Sequence, residues 1–462
     1  MGAAHGEKTL AYVTQTTFRS KSARKARTLL AAATMTALLC AGYGGGAATA
    51  AEAVSVPPAT LLAPDTDQVT AIIRSLEEKV RQHPDDFVAY TKLAGYYLQR
   101  QRETGSTEYL TLAERAARAS LAILPPEQNY GGLAALAQTE YALHNFAAAR
   151  DHATQLTELS STKSAGWQIL SDALLELGEY ESALRALDRL QHLAGETVGT
   201  QTRLARSALL RGHPEDAARY LSRAVVLALE QSPPQRETVA WCRWQLGETA
   251  FAIGDYVTAE RHYRDALITF PDFFRAVASL GRIRAARGDL AGAIVQYERV
   301  VHLVPDLTFV AALGDLYALV GRDQAAAAQY ELVETIAQLG TANGLLLNRQ
   351  LALFYADHDR KAEEAYSFAT KEYAIRRDIY GADTVAWTAL KVGKIAEAQM
   401  AIKEALRLET RDARLFYHAG MIAKAAGDRA RAREYLTRAL TLSPAFDPFQ
   451  APRARQALQR AQ

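Results

Sequence analysis

Cysteine is nearly absent. Cys40 and Cys242 are the only two in 462 residues, and Cys40 falls in a leader that the chain is expected to lose. The remaining Cys242, beside Trp241, makes neither an intrachain disulfide nor a zinc cluster, so a buried, unreactive thiol is expected. A dominant charge is absent as well: 53 Lys and Arg against 51 Asp and Glu leave a net +2. No global field then favours nucleic acid or an anionic membrane. Catalytic signatures are missing too. The chain has no Gly-rich phosphate loop, no H-E-x-x-H, no G-x-S-x-G and no paired C-x-x-C, which removes the sequence-evident enzyme readings. Asp357-His358-Asp359 gathers three possible metal ligands. It lies in an expected turn with no second cluster nearby, so it reads as solvated rather than metal-binding. No metal and no cofactor are expected.

What is present is a period. Residues 240–306 hold one pattern twice, AWCRWQLGETAFAIGDYVTAERHYRDALITFPDF and then FRAVASLGRIRAARGDLAGAIVQYERVVHLVPD. Gly247 and Gly281, Gly254 and Gly288, Ala259 and Ala293, Tyr263 and Tyr297, Pro271 and Pro305 are each 34 residues apart. That length marks stacked helix–turn–helix units. Leu246, Ala250 and their neighbours recur at helical spacing and give a first helix one apolar face. Gly254 ends it, because a residue without Cβ turns left-handed at no steric cost. Ala259, Tyr263 and Ala266 mark the inner face of a second helix, which Pro271 closes. Small residues at Gly247 and Ala259 let the two helices cross closely, while Leu246 and Tyr263 fill the remaining space.

This order of large, small, turn glycine, small, aromatic and closing proline resembles the tetratricopeptide (TPR) family. The resemblance rests on Leu246-Gly247, Gly254, Ala259, Tyr263, Ala266 and Pro271 and on their counterparts one period later. It implies an all-α fold, a right-handed superhelical solenoid of stacked units, acting as a binding scaffold rather than an enzyme.

The period extends over about ten units within residues 67–462. A capping half-unit over 67–82, ended by Pro84, precedes a first unit at 87–126, in which RQRETGST is expected to lengthen the loop between the helices. Units two to four occupy 130–163, 164–197 and 198–231. After the loop EQSPPQRET come the two units of 240–306, then a seventh at 307–340. The eighth is degenerate, and Leu351, Ala352, Tyr355, Ala365 and Ala369 fit only with one residue inserted near Asp359. Units nine and ten span 379–412 and 413–446, and a short basic helix over 452–461 closes the end, as solenoids require.

The start of the chain reads differently. Arg19, Lys21, Arg24, Lys25 and Arg27 precede an uncharged run over 29–41, and Ala48-Thr49-Ala50 follows. A basic segment, an apolar run and an Ala-x-Ala site describe a signal peptide over residues 1–50, followed by a linker over 51–66. The mature chain is then exported, secreted or held in the cell envelope. A retained N-terminal anchor is the minor alternative, disfavoured by GYGGG. Leu39 before Cys40 argues against lipid attachment, and Gly6 against myristoylation.

In TPR arrays the first helices line the concave face, and there the resemblance places partner binding. Arg203, Arg206, Trp241, Trp244, Gln245, Glu248, Arg275 and Arg282 fall at its groove positions in units four to six. So do Thr202 and Ser279 there, and Gln168, Asp172, Arg349, Gln350, Asp383, Trp387, Tyr417 and His418 elsewhere. Tryptophan and arginine are enriched at interface hot spots. The expected partner is therefore an unidentified protein or peptide carrying acidic and apolar residues, with no nucleic acid, and with a membrane only if the N-terminal segment stays. Two other readings remain open: an envelope glycan-binding or assembly subunit, and an enzyme with a composite site.

Overall fold

A computed structural model describes residues 55–62, 66–342 and 348–460. All the described residues fall in one compact unit, 52–462. The signal peptide, Cys40 and the Ala48-Thr49-Ala50 site lie outside the described residues. Among the described residues no helix is long and apolar enough to cross a membrane.

This compact unit is all-helical, with 22 helices and no strand among the described residues. A single helix, α1 (Thr66–Gln82), leads the stack. Pairs follow: α2 (Phe87–Thr104) with α3 (Glu108–Ile123), α4 (Tyr130–Ala142) with α5 (Phe146–Leu159), and α6 (Ser164–Leu177) with α7 (Tyr180–Ala194). Next come α8 (Val198–Leu210) with α9 (Pro214–Leu229), α10 (Arg236–Ala252) with α11 (Tyr256–Thr269), and α12 (Phe274–Ala286) with α13 (Leu290–Leu303). The second half holds α14 (Leu307–Leu319) with α15 (Asp323–Ala342) and α16 (Asn348–Asp357) with α17 (Ala362–Ile375). Two more pairs, α18 (Ile379–Lys391) with α19 (Ile395–Ala405) and α20 (Ala413–Ala425) with α21 (Arg429–Leu442), precede the closing α22 (Gln450–Arg460). Each pair is called a unit, numbered one to ten.

Local chemistry explains the pairs. Asp255, Asp289 and Asp428 accept hydrogen bonds from the main-chain N–H of Thr258, Gly292 and Arg431, capping three second helices. The preceding glycines Gly254, Gly288 and Gly427 are left-handed, with φ near +80° to +83°. Inside a unit, small residues face rings. A Cβ added to Gly281 would lie 2.8 Å from the Tyr297 ring, and one added to Gly314 would lie 2.6 Å from the Tyr330 ring. Gly247 meets Tyr263 in the same way. Unit one departs from expectation: RQRET continues α2 rather than lengthening the loop, held by the Arg100–Glu103 pair and by Thr104 Oγ1 donating to Arg100 O.

The stack closes on itself after five units. The turn of unit three meets the end of unit eight: Arg377 N donates to Leu177 O at 3.1 Å and Ile379 N to Tyr180 OH at 2.9 Å. The turn of unit four meets the end of unit nine, where Arg411 pairs with Glu215 at 3.1 Å and Thr410 Oγ1 donates to Leu210 O. Unit five meets the end of unit ten, with Ala445 N donating to Tyr256 OH at 2.8 Å. Unit one reaches units five and six through Arg102–Glu237 at 3.4 Å and through Gly105 against Val304. A Cβ at Gly212 would lie 2.6 Å from Glu409 O, one at Gly254 2.7 Å from Leu442 O, and one at Gly178 would collide with Arg377 O. The turn glycines of units six, seven, nine and ten (Gly288, Gly321, Gly393 and Gly427) have nothing within 4 Å of that position.

Two left-handed glycines therefore separate strain from contact. Gly178 and Gly427 share φ near +80°, so alanine at either carries the same backbone penalty of about 1–2 kcal/mol. Gly178→Ala should cost about 1–3 kcal/mol more, because main chain must move. Urea unfolding of the two variants checks this, and equal midpoints would contradict the contact.

Candidate binding cavity

Helical spacing and the 34-residue period bring side chains from neighbouring first helices together. Trp244 and Glu248 on α10 face Arg275, Ser279 and Arg282 on α12. Trp244 Nε1 donates to Ser279 Oγ at 2.9 Å, and Ser279 Oγ donates to Glu248 Oε1 at 2.9 Å. Tyr263 OH donates to Glu248 at 2.7 Å, and Arg282 pairs with the same carboxylate. Burial works against the Glu248 charge, but Arg282, with the Tyr263 and Ser279 hydrogen bonds, outweighs it and holds the carboxyl below its usual range.

Arg275 is different. It forms no ion pair among the described residues, and its Nη1 is buried without a hydrogen-bond partner. Its guanidinium lies 4.4 Å over the Phe274 ring and 6.0 Å from the Trp244 ring, a cation–π placement. Burial lowers its pKa.

These five side chains line one cavity of about 510 Å³, closed on the far side by Phe309, Leu353, His358 and Arg414. A second cavity of about 340 Å³ shares Glu248, Arg282, Leu353, Arg414 and Phe446 with the first. The walls of the two come from the first helices α10, α12, α14, α16, α18 and α20, with Tyr297 of α13 and the segment after α21. Closure of the stack sets α20 opposite α10.

The eight expected residues divide. Trp244, Glu248, Arg275 and Arg282 line the cavity, while the other four lie elsewhere. Arg203 pairs with Asp172 and lines a separate pocket of about 250 Å³ beside Tyr141 and Gln168. Arg206 is exposed and pairs with Glu176, which also takes Arg376. Trp241 packs half-buried between the cores of units four and five, and Gln245 lines neither cavity. Of the outlying groove positions, Arg349, Gln350 and Asp383 line the cavities. Trp387, Tyr417 and His418 are core instead, at most 2% exposed. His418 donates to or accepts from Asp383 at 2.9 Å and stacks 4.2 Å from the Trp387 ring, which fixes both inside.

Sequence reasoning missed Asp315, Asp357, His358, Arg414, Phe446 and Asp447 on the cavity wall. The solvated-turn reading of 357–359 holds for Asp359, which is exposed with φ +53°. Asp357 instead accepts from Trp387 Nε1 and Gln450 Nε2, both at 2.8 Å. His358 sits 2.6 Å from Asp315 through Nε2. The available signal was register, since Asp357 ends the first helix α16 and His358 follows it directly.

Burial lowers the His358 pKa, but the Asp315 carboxylate more than offsets it and raises the value above the ordinary 6.5. The folded value thus exceeds the unfolded one. Its stabilisation is complete below about pH 6.5 and lost as pH rises through the folded value. A histidine NMR titration should find His358 above 6.5, and Asp315→Asn should lower it, since Asp315 is the largest cause opposing burial. A value unmoved by Asp315→Asn would contradict the pairing.

Comparison with known proteins bears on the repeats. Tetratricopeptide repeat models match residues 134–197 and 245–308, and a second such model matches 413–446. No curated protein matches the sequence. Among solved structures, the chain is similar to the anaphase-promoting-complex hetero-tetramer Cut9-Hcn1, at 14% identity over 86% of this chain and 93% of that one, with a TM-score of 0.33. It is similar to PilW, a type IV pilus biogenesis factor, at 16% identity over 45% of this chain and 91% of that one, with a TM-score of 0.36. It is also similar to MamA, at 21% identity over 37% and 97%, with a TM-score of 0.30. Residues 134–197, 245–308 and 413–446 are thus tetratricopeptide repeats, set in an all-helical solenoid.

Proposed function

We propose that this chain is an exported protein–protein interaction scaffold that holds a peptide or partner segment in the cavity walled by units five to eight and ten. Tetratricopeptide repeats bind protein partners and the fold is generally non-catalytic, which supports a scaffold over an enzyme. Export rests on the basic run before residue 29, the uncharged run after it and Ala48-Thr49-Ala50.

One observation carries the binding reading: Arg275 stands at the cavity with a buried, unpartnered nitrogen and aromatic faces beside it. Arg203, Arg206 and Arg282 already hold carboxylates of their own chain. The arginine free to meet an acidic partner group is Arg275, with Phe309 and Leu353 available for an apolar neighbour. The partner segment therefore carries a carboxylate next to an apolar side chain.

Affinity capture followed by mass spectrometry tests this. Trp244→Ala with Arg275→Ala should weaken capture by roughly 30-fold or more, the scale of a hot spot of ≥2 kcal/mol. Arg203→Ala, outside the cavity, should leave capture unchanged. A double variant that keeps its helical circular dichroism and its partners would overturn the reading.

A further inference from the structure

Another face of α10 carries a second arginine, whose one carboxylate neighbour forms only a long ion pair. Arg243 is 1% exposed, and its nearest carboxylate, Asp265 on α11, is 3.8 Å away. Its Nε and Nη1 have no hydrogen-bond partner among the described residues. A buried guanidinium left this way costs free energy. Its remaining nitrogen is satisfied from far along the chain: Nη2 donates to Pro57 O at 3.0 Å and to Pro58 O at 3.2 Å.

The period shows how unusual this arginine is. One and two units later the same position holds Val277 and Val310, both fully buried. One unit earlier it holds the buried but uncharged Gln201, so of these four units only unit five places a charge there, and a buried charge needs a ligand. Pro57 and Pro58 suit it, because proline has no N–H and its fixed φ keeps successive carbonyls extended without an ordering cost. Val56 completes the contact by packing on the apolar cluster of Ala205, Leu221, Val225, Cys242 and Leu246. Residues 55–62, which precede α1, thus cross to unit five rather than trail from unit one.

We propose that the face of α10 turned toward α9 and α11 is a binding site for the main chain of an extended, proline-containing segment, and that residues 55–62 of the same chain are its resident occupant. The strap ties the chain ahead of α1 to unit five and closes the first superhelical turn from outside. Recognition is through two consecutive carbonyls and one branched apolar side chain, so any segment reading apolar-Pro-Pro in the same conformation fits. This surface is distinct from the cavity, and its test is independent of any cavity partner.

The experiment uses the full chain carrying Cys40→Ser, so that Cys242 is the single thiol, and a fluorescent SVPPATLL peptide. In that chain Cys242 is buried and its thiol is pushed up to about 12 by burial, so it should react slowly. Val56→Asp should release the strap, raise thiol reactivity by about tenfold or more, and let the labelled peptide bind. The chain without Val56→Asp should bind the peptide at least about tenfold more weakly, and adding Arg243→Met to Val56→Asp should abolish binding. Failure of the peptide to bind the Val56→Asp chain while its thiol reacts would overturn the proposal. So would equal peptide binding with and without Val56→Asp, or a dimer on light scattering that Arg243→Met dissolves, which would place the strap on a second copy.

Discussion

The close approach of main chain from one superhelical turn to main chain of the next is the constraint on which the rest of the structure depends. At Gly178, Gly212 and Gly254 a carbonyl of the following turn occupies the space where a side chain would begin. Glycine is required there twice over, by the left-handed φ and by the neighbour. Because turns three, four and five each receive the end of the unit five places on, the first helices face one another around a cavity instead of lining an open groove. Part of the seam is polar. Glu176 joins Arg206 of its own turn and Arg376 of the next, and Arg411 pairs with Glu215 across the same boundary. Burial disfavours the Glu176 charge, yet its arginines keep the carboxyl below its ordinary value.

Two kinds of packing thus do separate jobs. Within a unit, a small residue against a ring sets the crossing distance, and the core between helices is apolar. Between turns, the apolar cluster that Leu174, Leu175 and Leu210 share with Ile379 and Leu415 sets the pitch together with hydrogen bonds and ion pairs, each polar contact worth about 0.5–1.5 kcal/mol net in the neutral case and somewhat more when charged. The pitch decides which side chains share the cavity, and the crossing decides that there are helices to carry them. The pairing of most cavity arginines with carboxylates of the same chain follows from this enclosure: a low-dielectric interior tolerates charge when it is paired. Arg275 is left out of that pairing and is held by aromatic faces instead.

The fold within a unit was legible because it repeats. Gly247 against Tyr263, the turn glycines and the closing prolines recur every 34 residues, and a period can be read without a structure. The contacts between turns could not be read. Arg377 with Leu177, or Tyr256 with Ser443, lie about two hundred residues apart, and in sequence the turn glycines that receive main chain (Gly178, Gly212, Gly254) look the same as those that meet nothing (Gly288, Gly321, Gly393, Gly427). That gap explains the mixed result at the site. Trp244, Glu248, Arg275 and Arg282 follow from the period alone and share one cavity. Arg414 and Phe446 join them only through closure, and Arg206 lines neither cavity and pairs with Glu176 instead. Trp387 and His418 occupy groove positions by count, but in the last units a neighbouring first helix and α22 cover them. The Arg243 strap was hidden for the same reason, since Pro57 and Pro58 read as linker until α10 is placed beside them.

The central claim is that the ten units close on themselves with unit four against unit nine. Pulsed electron paramagnetic resonance between spin labels at Glu215→Cys and Arg411→Cys, in a Cys40→Ser background, tests it most directly. The two side chains form an ion pair at 3.1 Å, so the account predicts a distance distribution confined to the shortest separations the label linkers allow. A distribution centred at about 50 Å, the length of five stacked helix pairs at roughly 10 Å each, would mean an open solenoid and would contradict the account.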